Sequence, residues 1–433
     1  VLRIFALGDI PPGLYHDEAF NGLDALEVFE GRWPIYFAAN NGREPLFIYL
    51  IAVTIGLLGR TPGAVRLAAA ISGTFTIPTT YLMARAWFNR RVSLLSATIL
   101  AITLWHVHLS RIGFRAVTLP LTTSLALWLG ARAYRSRRWH DGLVAGLFYG
   151  LCFYAYLPAR FSPIALAIFA LYLIATGRGR RIWPVAAWFA AGTALILAPL
   201  GVYTLGHWDI VMGRPGQVGV LNPLISGGDP WGTMGRQLVS TLGMFFIRGD
   251  TIPRHNLPGR PIFDPLIGTA MLLGLTCALA RPRSRAHVRR RTATLFALIW
   301  VGLMLAPTWL AEDAPHFLRA AGVLPLLVVF PALGIGAAMD WLERRGRHRW
   351  AVTLACATLA FSLVMTVWDY FICYGTDPQT ACAFEDAAVE LAAEANRFTG
   401  VGWDGSGLTA SRVSPQSGRR VYVDSRLWDE WAA

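Results

Sequence analysis

The chain has 433 residues, 55% of them hydrophobic and only 15% charged, with 39 Lys and Arg against 26 Asp and Glu. Soluble domains carry about a quarter charged residues, so this composition excludes an ordinary soluble protein and reads as a polytopic membrane protein. The net charge of +13 falls mostly in short turns between apolar runs, which is the positive-inside pattern and calls for no nucleic-acid partner.

In chain order, residues 1–7 read as the remnant of a first transmembrane helix. Residues 8–63 form a long polar loop. It contains Gly13-Leu14-Tyr15-His16-Asp17-Glu18-Ala19, with two adjacent carboxylates and a histidine. Phe20 to Phe29 has the pattern of a short amphipathic helix. The apolar run from Glu44 to Gly59 would be only about 24 Å long as a helix, short of the ~30 Å hydrocarbon core. We read it as a helix lying in the interface.

Apolar spans follow at roughly 64–86, 92–109, 116–134, 141–157, 160–176 and 182–204, and again at 263–280, 292–310, 319–342 and 350–372. Arg-rich turns lie at Arg85 to Arg91, Arg132 to Arg138, Arg178 to Arg181, Arg281 to Arg291 and Arg344 to Arg349. Two apolar stretches separate each pair of neighbours, so all five turns can face the cytoplasm. The 8–63 loop, a Gly/Pro-rich loop at 205–262 and the tail 373–433 are then extracytoplasmic.

The 205–262 loop should hold one helix near 231–247. The tail should hold a helix near 380–397 and a strand at Arg420 to Asp424, too little for an independent domain, so a larger one is either cut off or absent. No solenoid-type repeat appears. Cys152, Cys277 and Cys356 lie in apolar spans as small packing residues. Cys373 and Cys382, on the outer side, are the one pair placed for a disulfide.

Outer-side arginines run against the positive-inside bias. They are Arg66, Arg111, Arg115, Arg160 and Arg319. A planar guanidinium binds phosphate oxygens in pairs, although any one of these could simply reach lipid headgroups. Arg111 and Arg115 share a face if their segment is helical. Asp17 suits a general base, with Glu18 beside it and Glu44 as a second candidate. The bland reading is a solvated pair capping the next helix.

His16, Tyr156, Asp250, His255, Asn256 and His316 are the polar groups available to line an outer cavity or acceptor site. Hydrogen-bonding roles suit the histidines, because no tight metal-ligand spacing is present. A divalent metal held by one or two of them with Asp17 or Glu44 stays open.

These segments resemble the GT-C class of polytopic glycosyltransferases, in particular the dolichyl-phosphate-mannose protein mannosyltransferases and the bacterial aminoarabinose transferases. The resemblance rests on Asp17-Glu18, Glu44-Pro45-Leu46, Val65-Arg66-Leu67, Ser110-Arg111, and His316-Phe317-Leu318-Arg319 followed by Pro325. It spans about residues 8–372. It implies an all-α membrane helix bundle with extracytoplasmic interfacial helices, and a sugar donor on a polyprenyl or dolichyl monophosphate. It also implies Asp17 as base, with Glu18 and Glu44 shaping the acceptor site and Arg66 on the phosphate side. The Glu44-Pro45 pair departs from the His-Pro of the protein mannosyltransferases.

The reading is an inverting transfer of a hexose, such as mannose, from a polyprenyl-phosphate carrier to an extracytoplasmic protein, lipid or glycan hydroxyl. The competing classes are a transporter or lipid flippase and a non-catalytic subunit of an envelope complex. A transporter would carry ionisable groups near the midplane of its spans, and here Asp340 and Asp369 lie near span ends.

Overall fold

The computed structural model describes residues 1–39, 42–279, 285–405 and 419–422. It is a multi-pass helical bundle with no sheet among the described residues, only isolated bridges at Phe37–Arg43 and Gly219–Ala311. Six helical segments are long and apolar enough to cross a membrane: Pro62–Trp87, Leu157–Ala175, Trp183–Gly206, Arg291–Trp309, Phe317–Glu343 and His348–Tyr374. Leu46–Leu58 and Pro265–Leu279 are apolar but shorter.

The helices begin where the sequence supplies caps. Thr61 accepts the Ala64 N–H ahead of Pro62, and Asn89 accepts that of Val92. Asp264 accepts from both Leu266 and Ile267. Each cap satisfies N–H groups that the helix itself leaves open.

Without a hydrophobic drive between helices inside lipid, close backbone contact must hold them together. Gly274 of Pro265–Leu279 and Gly334 of Val329–Glu343 supply it. A Cβ on Gly274 would overlap the Phe330 carbonyl oxygen, and one on Gly334 that of Ala270. Gly146 and Gly192 bring Trp139–Leu151 and Trp183–Gly206 together in the same way, against the carbonyls of Phe189 and Leu143. Gly274→Leu is therefore expected to cost at least about 1–3 kcal/mol by overpacking. A lowered unfolding temperature in detergent would show it, and an unchanged one would refute this contact.

The arginine turns are tied to one another. Arg91 pairs with Asp340 at 2.6 Å and Glu343 at 2.8 Å. Arg135 donates to the Ala86 carbonyl and Arg178 to Thr292 Oγ1. Residues 281–284 of the fourth turn lie outside the described residues.

The loop before the first long helix contains two helices, His16–Phe29 and Leu46–Leu58. The first begins four residues earlier than the Phe20 start expected, because Tyr15 N–H is capped by Glu18 Oε2 at 3.2 Å. Asp17 and Glu18 therefore sit in its first turn, where the helix dipole favours negative charge. Residues 2–9 run as consecutive turns, with Ala6 at φ +48°, and not as helix end. Buried Arg3 holds them to Ala101 O, Ser110 Oγ and His106 Nδ1.

The 205–262 loop carries Trp208–Val218 and Pro223–Ser226 as well as Pro230–Gly243. In the tail, Pro378–Ala383 and Asp386–Thr399 are separated by Glu385 in the left-handed region. Arg420 to Tyr422 take no strand, and the rest of that expected strand lies outside the described residues. Cys373 and Cys382 are both exposed and unbonded, so the disulfide open to them is absent. Cys152 is buried as expected, whereas Cys356 is exposed on its helix.

Candidate active site

The His16–Phe29 helix presents Glu18, Asn21 and Asp24 to the interior at intervals of three, so all three lie on one stripe. Glu18 is fully buried against fully buried Arg66, with Nε to Oε1 at 3.1 Å and Nη2 to Oε2 at 3.2 Å. Glu18 also accepts the Gly113 N–H at 2.5 Å, and Arg66 donates to the carbonyls of Pro11 and Gly13 at 2.6 and 2.7 Å. This pair clamps the loop onto the bundle. The Arg66 guanidinium, expected on the phosphate side, is engaged by these partners.

Arg111 is likewise engaged. It donates to the carbonyls of Leu2, Ala6 and Ile10 and lies over the rings of Tyr370 and Phe371. The expected shared face of Arg111 and Arg115 does not form. Residues 110–114 are not helical, because Gly113 gives its N–H to Glu18 and its carbonyl to Asn21. The two arginines consequently serve different places.

Arg115 turns toward the first loop. Its Nε lies 3.0 Å from Glu44 Oε2, an ion pair outside hydrogen-bond alignment. Its guanidinium also lies over the Tyr156 ring at 5.6 Å. Burial pushes the Tyr156 phenol up; the charges of Arg115 and Arg319 oppose this, and those of Glu44 and Asp17 add to it.

Tyr36 is pushed up to about 12, first by burial and then by Glu44, while Arg115 and Arg160 oppose. Asp17 also acts on Tyr15 and on Arg43. Glu44 and Arg115 thus act on both Tyr36 and Tyr156, Arg160 on Tyr36, and Asp17 and Arg319 on Tyr156. Arg319 additionally donates to the Glu312 carbonyl at 2.5 Å, and Arg160 to that of Val211 at 3.2 Å.

Asn21 and Asp24 were not anticipated, and they hold Arg43. Arg43 Nη1 bonds Asn21 Oδ1 at 3.0 Å and sits 3.1 Å from Asp24 Oδ2. Burial raises the Asp24 pKa and lowers that of Arg43, while the two partners act against burial. The spacing Glu18, Asn21, Asp24 was the signal available for this buried stripe. Arg254, over the Tyr15 ring at 4.8 Å, was missed as well. His16 pairs with Glu385 at 2.6 Å on the exposed side of the helix.

Asp250, His255, Asn256 and His316 form a second, buried cluster. Asp250 Oδ2 accepts from His255 Nδ1 at 3.0 Å and Phe317 N at 2.8 Å, while Oδ1 accepts from Ile252 N. Asn256 donates to the Asp250 and Arg260 carbonyls. His316 caps the Phe317–Ala320 turn through Nδ1 and lies 4.4 Å from the His255 ring.

One potential ligand atom each from Asp250, His255 and His316 falls within 4.8 Å of the others. These groups are already engaged: Asp250 accepts from three donors and His316 Nδ1 accepts the Arg319 N–H. The donor set fits a structural hydrogen-bond cluster better than a cation site.

Burial lowers the pKa of His255 and takes that of His316 well below its ordinary value. Arg254 and Arg319 add to this, while Asp250 opposes at His255. Folded chains thus hold both rings neutral, and unfolded chains bind more protons below about pH 6.5. Stability is expected to fall as pH drops from 7.5 to 5. His255→Gln should flatten that dependence in unfolding-temperature measurements, and an unchanged slope would contradict it.

Residues 42–203 match the dolichyl-phosphate-mannose-protein mannosyltransferase family. The fold is similar to that of the oligosaccharyltransferase of Archaeoglobus fulgidus, at TM-score 0.58 and 16% identity over 87% of this chain and 53% of that one. It is also similar to ArnT of Cupriavidus metallidurans, whose structure was determined with bound undecaprenyl phosphate. That likeness has TM-score 0.55 and 14% identity over 91% of this chain and 77% of that one. The chain is 29% identical over 257 residues to competence protein ComA of Neisseria gonorrhoeae, covering 54% of this chain and 34% of that protein. It thus spans about half the length of the oligosaccharyltransferase and a third of ComA. The architecture is GT-C-like.

Proposed function

We propose that this GT-C-fold membrane chain is an inverting glycosyltransferase that uses a polyprenyl-phosphate-linked hexose such as mannose. The observation that carries the reading is the Arg115–Glu44 ion pair beside the Tyr156 ring, with the charges of Asp17 and Arg319 also acting on that hydroxyl. Asp17 takes the proton from an acceptor hydroxyl as that oxygen bonds to the anomeric carbon. The bond from that carbon to the phosphate oxygen breaks, and its electron pair leaves with the polyprenyl phosphate. That group departs as a stable anion and needs charge stabilisation without a proton. Arg115 and Arg319 supply it, with Arg160 beside them. Glu44 aims Arg115, while Glu18–Arg66 and Arg111 hold the loop in place.

The acceptor is a protein, lipid or glycan hydroxyl on the extracytoplasmic side of the membrane. The positive-inside bias of the arginine-rich turns supports that sidedness. ArnT's bound undecaprenyl phosphate supports a carrier of this chemistry.

The test is label transfer in membranes from a host without related enzymes. Radiolabelled polyprenyl-phosphate mannose and glucose are supplied separately with envelope extract. Loss of label from one lipid, dependent on the chain, is the expected result. No loss with a broad panel of carrier-linked sugars, from correctly folded protein, would overturn the reading.

A further inference from the structure

At the arginine-rich end of the bundle lies a cavity of about 1070 Å³, lined by none of the active-site residues. Its walls are aromatic: Trp87 stacks on Phe296 at 4.8 Å, Phe169 packs against Phe296 at 4.6 Å, and Phe189 closes the side. Arg135, Arg137, Arg178 and Arg180 stand along it, and no Asp or Glu is among its described lining residues. An apolar slot with arginines along its rim has a defined complement: an anion at the mouth and hydrocarbon below.

We propose that this groove binds one anionic diacyl phospholipid. Its phosphate lies on the arginine rim and its acyl chains lie against the aromatic wall. A polyprenyl phosphate is the competing occupant, and the displacement arm of the experiment separates the two. The site does not rest on the glycosyltransferase reading.

Two changes probe it from different sides. Arg137 and Arg180 are exposed, so Arg137→Gln with Arg180→Gln removes rim charge with little effect on packing. Gly130 lines the slot, and a Cβ there meets nothing within 4 Å. Gly130→Phe therefore fills the groove while keeping every arginine.

The experiment is native mass spectrometry of the full chain, delipidated in detergent. It is titrated with dioleoylphosphatidylglycerol, dioleoylphosphatidylcholine and undecaprenyl phosphate, with unfolding temperature as the check on folding. One phosphatidylglycerol should bind at about tenfold lower concentration than phosphatidylcholine, as expected for clustered arginines at an anionic headgroup. The arginine variant should lose that preference, and Gly130→Phe should lose the bound lipid. Undecaprenyl phosphate should fail to displace it.

Four results would overturn the proposal: no one-to-one phosphatidylglycerol complex, equal binding of both phospholipids, unchanged binding in a folded variant, or one-for-one displacement by undecaprenyl phosphate. If the arginine variant does not fold, Gly130→Phe decides the matter, because retained binding there excludes the groove.

Discussion

Asp17→Asn is expected to leave a folded protein that still binds the carrier-linked sugar but turns it over about 10²–10⁴-fold more slowly, the range typical of a lost general base. Asp17 is partly exposed in the first turn of its helix and its charge acts on Tyr156, so the near-isosteric amide keeps the shape while removing the proton acceptor. The loss should fall on kcat, with donor KM changed little. Asp17→Glu lengthens the side chain by one carbon and should recover part of the rate. Full activity in Asp17→Asn would remove Asp17 from the chemistry. A rise in KM alone would make it a binding residue.

The second large effect is on folding. Breaking the Glu18–Arg66 pair by Arg66→Met should cost roughly 3–5 kcal/mol, because a buried carboxylate is left without its counter-ion. Glu18→Gln should be milder, since an amide oxygen can still accept from Gly113. The double replacement Glu18→Leu with Arg66→Met should not recover stability. It would orphan the N–H groups of Tyr15 and Gly113 together with the carbonyls of Pro11 and Gly13. Size-exclusion profiles and unfolding temperatures in detergent read this directly. If Arg66→Met folded normally and lost only donor binding, Arg66 would belong to the phosphate site.

These two predictions separate residues that look alike along the chain. Asp17 and Glu18 are adjacent, yet successive helical residues point about 100° apart. Once the helix begins at His16, Glu18 turns inward and Asp17 stays at the surface. The five outer arginines are equally ambiguous in sequence. Arg66 reaches residues 11, 13 and 18, and Arg111 reaches 2, 6 and 10. Nothing near either arginine in the chain announces those partners. The buried Asp250–His255 pair and its stacking on His316 depend on a loop meeting the start of a distant helix.

By itself the sequence determined the membrane class, the all-helical architecture and the segregation of arginine into short turns. Those properties depend on composition and on the length of apolar runs, and a bilayer reads both locally. It also marked the Asp17 loop and Arg115 as places where chemistry could occur. Tertiary structure decided which charges are structural and which remain at a surface. A guanidinium or carboxylate takes whichever partners the packing of remote segments brings within about 3 Å. Here that packing committed Glu18, Arg66 and Arg111 to holding the fold, and brought the charges of Asp17, Glu44, Arg115 and Arg319 to bear on Tyr156.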